Sequence, residues 1–203
     1  MTALISPDSL HRLVKHAIDS GTAASVAEAE ALFRGYRLAV EIDESAAQEP
    51  AHQAALLTTV ALGRRVFLGG VTVTGALDEP LALAMPLGRT LAEAVVALGG
   101  ALEHRDDESP TIIIGGGPGA RRDGFCVRTA ASGWRGGILP SQSDLQPAGG
   151  AAMPLSGMLA AGLAVNEAYL NVSGGMPAAG RRVVGFSLWR PDADADWLEA
   201  DAS

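Results

Sequence analysis

The sequence predicts an α/β domain with a mixed sheet, preceded by a short pair of helices. Three observations carry this. Helical and strand periodicities alternate along the chain instead of segregating into blocks. Thr111 followed by Ile112, Ile113 and Ile114 has the composition of a strand buried on both faces, as in a parallel sheet. Residues 124–130 and 134–139 then form two alternating runs joined by Ser132-Gly133, the pattern of an antiparallel hairpin, so the sheet is mixed.

Taken in order, Ser6-Pro7 opens the first helix with an N-cap before a proline at its first position. Leu10, Leu13, Val14, Ala17 and Ile18 share one face, and Gly21 ends the element. Ser25 and Glu28 make a capping box for a second helix that Gly35 stops. Tyr36, Leu38, Val40 and Ile42 alternate with Arg37, Ala39 and Glu41 as a strand. Residues 50–68 read as a long Ala/Leu-rich helix with Arg64 and Arg65 complementing its C-terminal dipole, and Gly69-Gly70 closes it. Residues 71–74 and 81–85 are strand candidates. Thr90 and Glu93 cap a short helix that ends at Gly99-Gly100. After the hairpin and a Ser/Gln/Pro/Gly loop over 140–150, residues 154–170 form an almost wholly apolar helix and 183–189 a last strand. The organisation expected is a helical pair over 1–35, the α/β domain over 36–190, and an acidic tail of low order over 191–203.

Bulk properties narrow the function classes. A chain of 203 residues fits one large domain or two small ones, and a domain of this size buries enough surface to need neither disulfide nor metal for its core. Net charge is −8, which disfavours a nucleic-acid backbone as partner. Cys126 is the single cysteine, which suits a reducing compartment. The first apolar stretch is broken by His11, Arg12, Lys15 and His16, so it does not read as a signal peptide, and no apolar run is long enough to span a bilayer. A cytoplasmic protein without membrane attachment is the expectation.

The sharpest local pattern is Gly115-Gly116-Gly117-Pro118-Gly119-Ala120. It follows an apolar strand and fits G-x-G-x-x-A, with Gly115, Gly117 and Ala120 in the key positions. Phosphate binding there needs a helix N-terminus directly afterwards, yet Arg121-Arg122-Asp123-Gly124 leads into a strand pattern, so a plain glycine turn is the preferred reading. Arg121 and Arg122, with Arg128 and Arg135, form a basic patch able to hold phosphate or carboxylate; pairing with Asp106, Asp107 or Asp123 is the simpler role. Cys126 lies mid-strand without a nearby histidine and reads as a small hydrophobe. The four histidines (His11, His16, His52 and His104) have no metal-ligand spacing. Asn166 and Glu167 interrupt an apolar helix, and a buried carboxylate there calls for an arginine partner. Gly157, Ala160, Ala161 and Ala164 make a small-residue face suited to close approach of another backbone. Trp134 and Trp189 read as core or interface anchors.

Three stretches together resemble a known family: LLTTVALGRRVFLGGVTV at 56–73, GWRGGIL at 133–139 with AGLAVNEAY at 161–169, and VGFSLWR at 184–190. They are similar to the region N-terminal to the adenylating domain in bacterial ThiF/E1-like proteins, which activate ubiquitin-like C-termini with ATP. The resemblance implies a degenerate, Rossmann-like three-layer domain that pairs with a second, active adenylating domain. The glycine loop, arginine, lysine and aspartate that handle ATP and magnesium in the active domain have no residue-by-residue match here. A non-catalytic docking domain follows as the expectation, with no catalytic residue, cofactor or metal of its own. Its expected partner is an adenylating domain, a ubiquitin-like protein or a second copy of itself. The alternative is a small enzyme or binding protein for a phosphorylated or anionic ligand, using Gly115, Gly117, Ala120, Arg121 and Arg122.

Overall fold

The computed structural model describes residues 7–102, 108–117, 124–192 and 196–199. Helices α1 (Pro7–Asp19) and α2 (Val26–Gly35) form the opening pair. Ser25 Oγ accepts from the Glu28 amide at 3.2 Å, and Glu28 Oε2 accepts from the Ala24 amide at 2.8 Å, so the capping box closes one residue earlier than the simplest form. Val14, Ala17, Ala29 and Phe33 make a small core of their own, against Tyr36 and Tyr169.

The α/β unit follows as β1 (Arg37–Ile42), the short α3 (Glu44–Ala47), α4 (Pro50–Val66), β2 (Gly70–Gly75), α5 (Leu91–Ala97), β3 (Thr111–Ile114), β4 (Cys126–Ser132), β5 (Arg135–Pro140), α6 (Pro154–Val172) and β6 (Val184–Ser187). The strands order as β2-β1-β3-β4-β5-β6. The first four are parallel to their neighbours, and β5 and β6 are antiparallel additions. This is the mixed-sheet α/β fold that the alternating pattern predicts, consistent with the Rossmann-like domain that the resemblance implies.

Alternation in the strands sorts the sheet into two unlike faces. Leu38, Val40, Ile42, Val71, Val73, Ile112, Ile114, Val127 and Ile138 join residues of α4, α5 and α6 in one apolar core. The opposite face carries Thr111, Arg128, Ala130 and Leu139, and over β4 and β5 it is covered by loop segments 141–150 and 196–199. Helix α6 packs on α4 through its small residues. A Cβ on Gly157 would lie 2.9 Å from the carbonyl carbon of Ala51 and closer still to its oxygen. The small-residue face is therefore consumed inside the molecule.

Two expectations change. Residues 81–85 are not a strand; only a single bridge joins Pro80 to Thr90. The buried Gln53 side chain takes the place of a neighbouring strand, donating to Ala47 O and Pro80 O at 2.7 and 2.9 Å and accepting from the Ala82 amide at 2.8 Å. The described part of the acidic C-terminal segment is also docked rather than loose. Trp197 is 6% exposed and packs with Ala130 and Leu139, while Arg135 donates to the carbonyls of Trp197 and Glu199. Acidic composition hid a single aromatic anchor.

Candidate functional site

The carboxyl ends of the parallel strands are where open α/β sheets leave a crevice, at the point where successive connections depart in opposite directions. Here β1 leads outward to β2 on one side, while β3 leads to β4 on the other, so the switch lies between β1 and β3. Asp43 follows β1 and caps α3, accepting from the Ala46 amide and the Ser45 hydroxyl, both at 2.7 Å. Gly115 and Gly116 follow β3 with φ of 75° and 76°, a region open to glycine at little cost. A Cβ on Gly115 would collide with the Ala46 side chain, and one on Gly116 would lie 2.9 Å from Asp43 Oδ2. The glycines are thus demanded by backbone conformation and by contact with α3.

Beside this turn is a cleft of about 220 Å³ whose walls include His52, Gly115, Gly116, Arg128, Ser132 and Gly149. His52 comes from the first turn of α4 and Arg128 from the middle of β4. Arg128 is 2% exposed; its Nη2 donates to Ser143 O at 2.9 Å and to Leu145 O. Its Nε is buried and has no hydrogen-bond partner among the described residues; the same holds for His52 Nδ1. Burial lowers the Arg128 guanidinium from its ordinary value, opposed by the field of Asp144. An arginine nonetheless keeps its charge. Burial likewise pushes the His52 imidazole below its usual range, against the upward pull of Asp43 and Glu49. The cleft therefore holds a buried cation and an imidazole that favours its neutral form.

The sequence-predicted site residues divide. Gly115 follows β3 beside the cleft. A Cβ on Gly117 would meet nothing within 4 Å, so that position carries no steric demand. Ala120, Arg121 and Arg122 lie outside the described residues. Cys126 already belongs to β4, so the chain from there onward is extended, in line with the strand pattern read after the turn. Arg128 and Arg135 are not a surface patch: both are 2% exposed and donate to backbone carbonyls of the covering loops. Sequence reasoning set His52 aside among scattered histidines and gave Arg128 a surface role. The available signal for Arg128 was its place in a strand otherwise rich in buried residue types; nothing in the sequence marks His52. Among the described residues no group of three or more His, Cys, Asp and Glu could hold a metal ion. No helix among them is long and apolar enough to cross a membrane.

A second surface stands out at the far edge of the sheet. Trp134, at the tip of the β4–β5 hairpin, and Trp189, just past β6, have ring centroids 6.0 Å apart and are 40% and 64% exposed. The Leu188 amide donates to Trp134 O at 2.9 Å, which fixes the two segments together. Phe186 and Leu188 are exposed alongside them in sequence.

Comparison with known proteins meets this architecture closely. The family described as the BilD N-terminal domain matches residues 37–188, which begins at the first residue of β1 and ends one past β6. A protein of Collimonas sp. (strain OK412) named Bacterial E1-like protein BilD is 37% identical over 204 residues, spanning all of this chain and 44% of that relative. The chain thus covers less than half the length of the relative. The likeness upholds the sequence resemblance at the level of an E1-like protein's N-terminal region, without singling out ThiF. On the extent of the family match and this identity, the chain belongs to the BilD N-terminal domain family.

Proposed function

We propose that this chain is a non-catalytic scaffold or docking domain in an E1-like system that activates a ubiquitin-like protein. Its partner in this reading is an adenylating domain or the ubiquitin-like protein itself. The observation that carries the reading is the exposed Trp134–Trp189 pair at the sheet edge, with Phe186 and Leu188. Large aromatics left in water on one surface are costly unless a partner covers them, and tryptophan is enriched among residues that dominate interface energetics. The E1-like name of the Collimonas relative, more than half of which lies beyond the matched region, supports a partner of that class. Helix α6 does not offer its small-residue face, which α4 already occupies. Its outward Leu155 and Met158 remain exposed.

Co-expression with the remaining portion of the Collimonas relative tests the proposal. The expected result is co-elution that a Trp134→Ala/Trp189→Ala variant of unchanged Tm loses. Retention of the complex by that variant contradicts the assigned face. Titration calorimetry of the isolated chain with ATP and magnesium tests the non-catalytic part: micromolar, magnesium-dependent binding overturns it. Light scattering that shows a tight homodimer disrupted by the same double substitution would reassign the surface to self-association.

A further inference from the structure

Two residues that line the cleft, Arg128 and His52, each keep a buried nitrogen with no hydrogen-bond partner among the described residues. Arg128 Nε–H can only donate. The Nδ1 of neutral His52 donates in one of its two tautomers. A buried donor left unmade costs more than a typical hydrogen bond contributes, so two such donors on residues that line the cleft favour an acceptor that a small side-chain shift brings within their reach. The guanidinium makes a negatively charged acceptor the better match, because a buried cation is stabilised most by a paired anion. Its neighbours leave that role open. The Nη2 donors go to the neutral carbonyls of Ser143 and Leu145, and Asp144 acts on Arg128 through its field without an ion pair at contact distance. Asp43, which lies beside the glycine turn, commits Oδ1 to the Ala46 amide and the Ser45 hydroxyl.

Size and setting restrict the ligand further. A volume of about 220 Å³ falls below the roughly 300–1,000 Å³ usual for whole cofactor pockets. It accommodates a small anion or one anionic group, not a mononucleotide. On the β3 side the described lining is Gly115 and Gly116, which bring no side chain, at the switch point where open α/β sheets place ligands.

We propose that this cleft binds a small oxyanion, phosphate or carboxylate, held by Arg128 Nε–H and His52 Nδ1–H beside the Gly115-Gly116 turn. The proposal keeps the anionic ligand class that the glycine-rich pattern suggested and assigns it different donors. It does not depend on the docking role. A domain with no protein partner could still carry the site, and a docking domain could lack it.

The test is a nitrogen-15 NMR titration of the full chain with inorganic phosphate and, separately, with acetate, at constant ionic strength. Saturable shifts centred on the Gly115 and Gly116 amides with one-to-one stoichiometry are expected. The tighter of the two probes tells a tetrahedral from a planar ligand. His52→Phe removes one donor without touching the loop that Arg128 braces, and it should weaken binding about tenfold, the effect of 1.4 kcal/mol. Arg128→Lys should weaken it at least as much if that variant folds; where it does not fold, His52→Phe alone decides. Absence of saturable shifts with both probes overturns the proposal. So do shifts of equal midpoint in wild type and His52→Phe, which mark surface screening instead of a site.

Discussion

Arg182 donates from Nη2 to Oε1 of Glu167 at 2.6 Å, and so joins a half-exposed guanidinium to a carboxylate that is 1% exposed in the middle of α6. The Gly180 amide serves the other carboxylate oxygen at 3.0 Å. The pairing raises Arg182 above its ordinary value, chiefly through the hydrogen bond and then the charge of Glu167. The asymmetry of burial decides what each substitution does. Removing the arginine strands a charge in the core, whereas neutralising the acid leaves an arginine that water can solvate. Arg182→Leu should lower Tm more than Glu167→Gln does. A thermal melt in which the glutamine variant is the less stable of the two would contradict this account of the pair.

Two glycines of α6 should respond in opposite directions to the same change. Gly157 abuts the Ala51 carbonyl of α4, so Gly157→Ala forces the helices apart and costs about 2 kcal/mol, in the range of overpacking. A Cβ on Gly162 meets nothing within 4 Å, so Gly162→Ala gains helix propensity and stabilises by about 1 kcal/mol. Urea melts of both variants provide the comparison, and a shared sign would refute it.

Gln53 holds the 80–82 segment by its side chain. Gln53→Leu removes the partner of the buried Ala47 carbonyl and of the more exposed Pro80 carbonyl and Ala82 amide, which water can reach, and should cost about 1–3 kcal/mol, the range for one stranded buried group. Hydrogen exchange at Ala82 should accelerate in the variant beyond the change at core amides. Exchange that stays uniform across the chain would show that the side chain does not anchor this loop.

The depressed value of His52 makes a definite prediction for pH. The folded-state value lies below the ordinary 6.5, so the unfolded chain takes up the proton first as pH falls. Above about pH 7.5, a unit over the ordinary value, the residue is neutral in both states and has no influence on the pH slope. Below it, stability declines by at most about 1.4 kcal/mol per pH unit for one proton. The wild-type and His52→Gln chains should therefore diverge in slope only on the acid side. Parallel stability curves from pH 5 to 8 would rule this out.

How much of this was legible in the sequence follows from the range of the forces involved. Caps at Ser25 and Thr90, proline at the start of α4 and α6, and the isoleucine run of β3 act over a few residues, and each element appeared where its local chemistry placed it. The arginine partner for Glu167 was also foreseeable, because a carboxylate in an apolar helix needs one wherever it comes from.

The remainder depends on what meets across the sheet. Sequence alone determined most of the helices and strands, though not α3 or the loop at 81–85, together with the mixed character of the sheet and the glycine turn after β3. Only the folded molecule decided that His52 and Arg128 line one cleft 76 positions apart in sequence, that the Ala82 amide gives its hydrogen bond to Gln53 instead of a strand, and that Trp197 turns inward while Trp134 and Trp189 stay in water. Periodicity reports which face of an element is apolar; it carries no record of the distant segment that will cover the other face, and that covering is what sets burial, charge and the chemistry of the site.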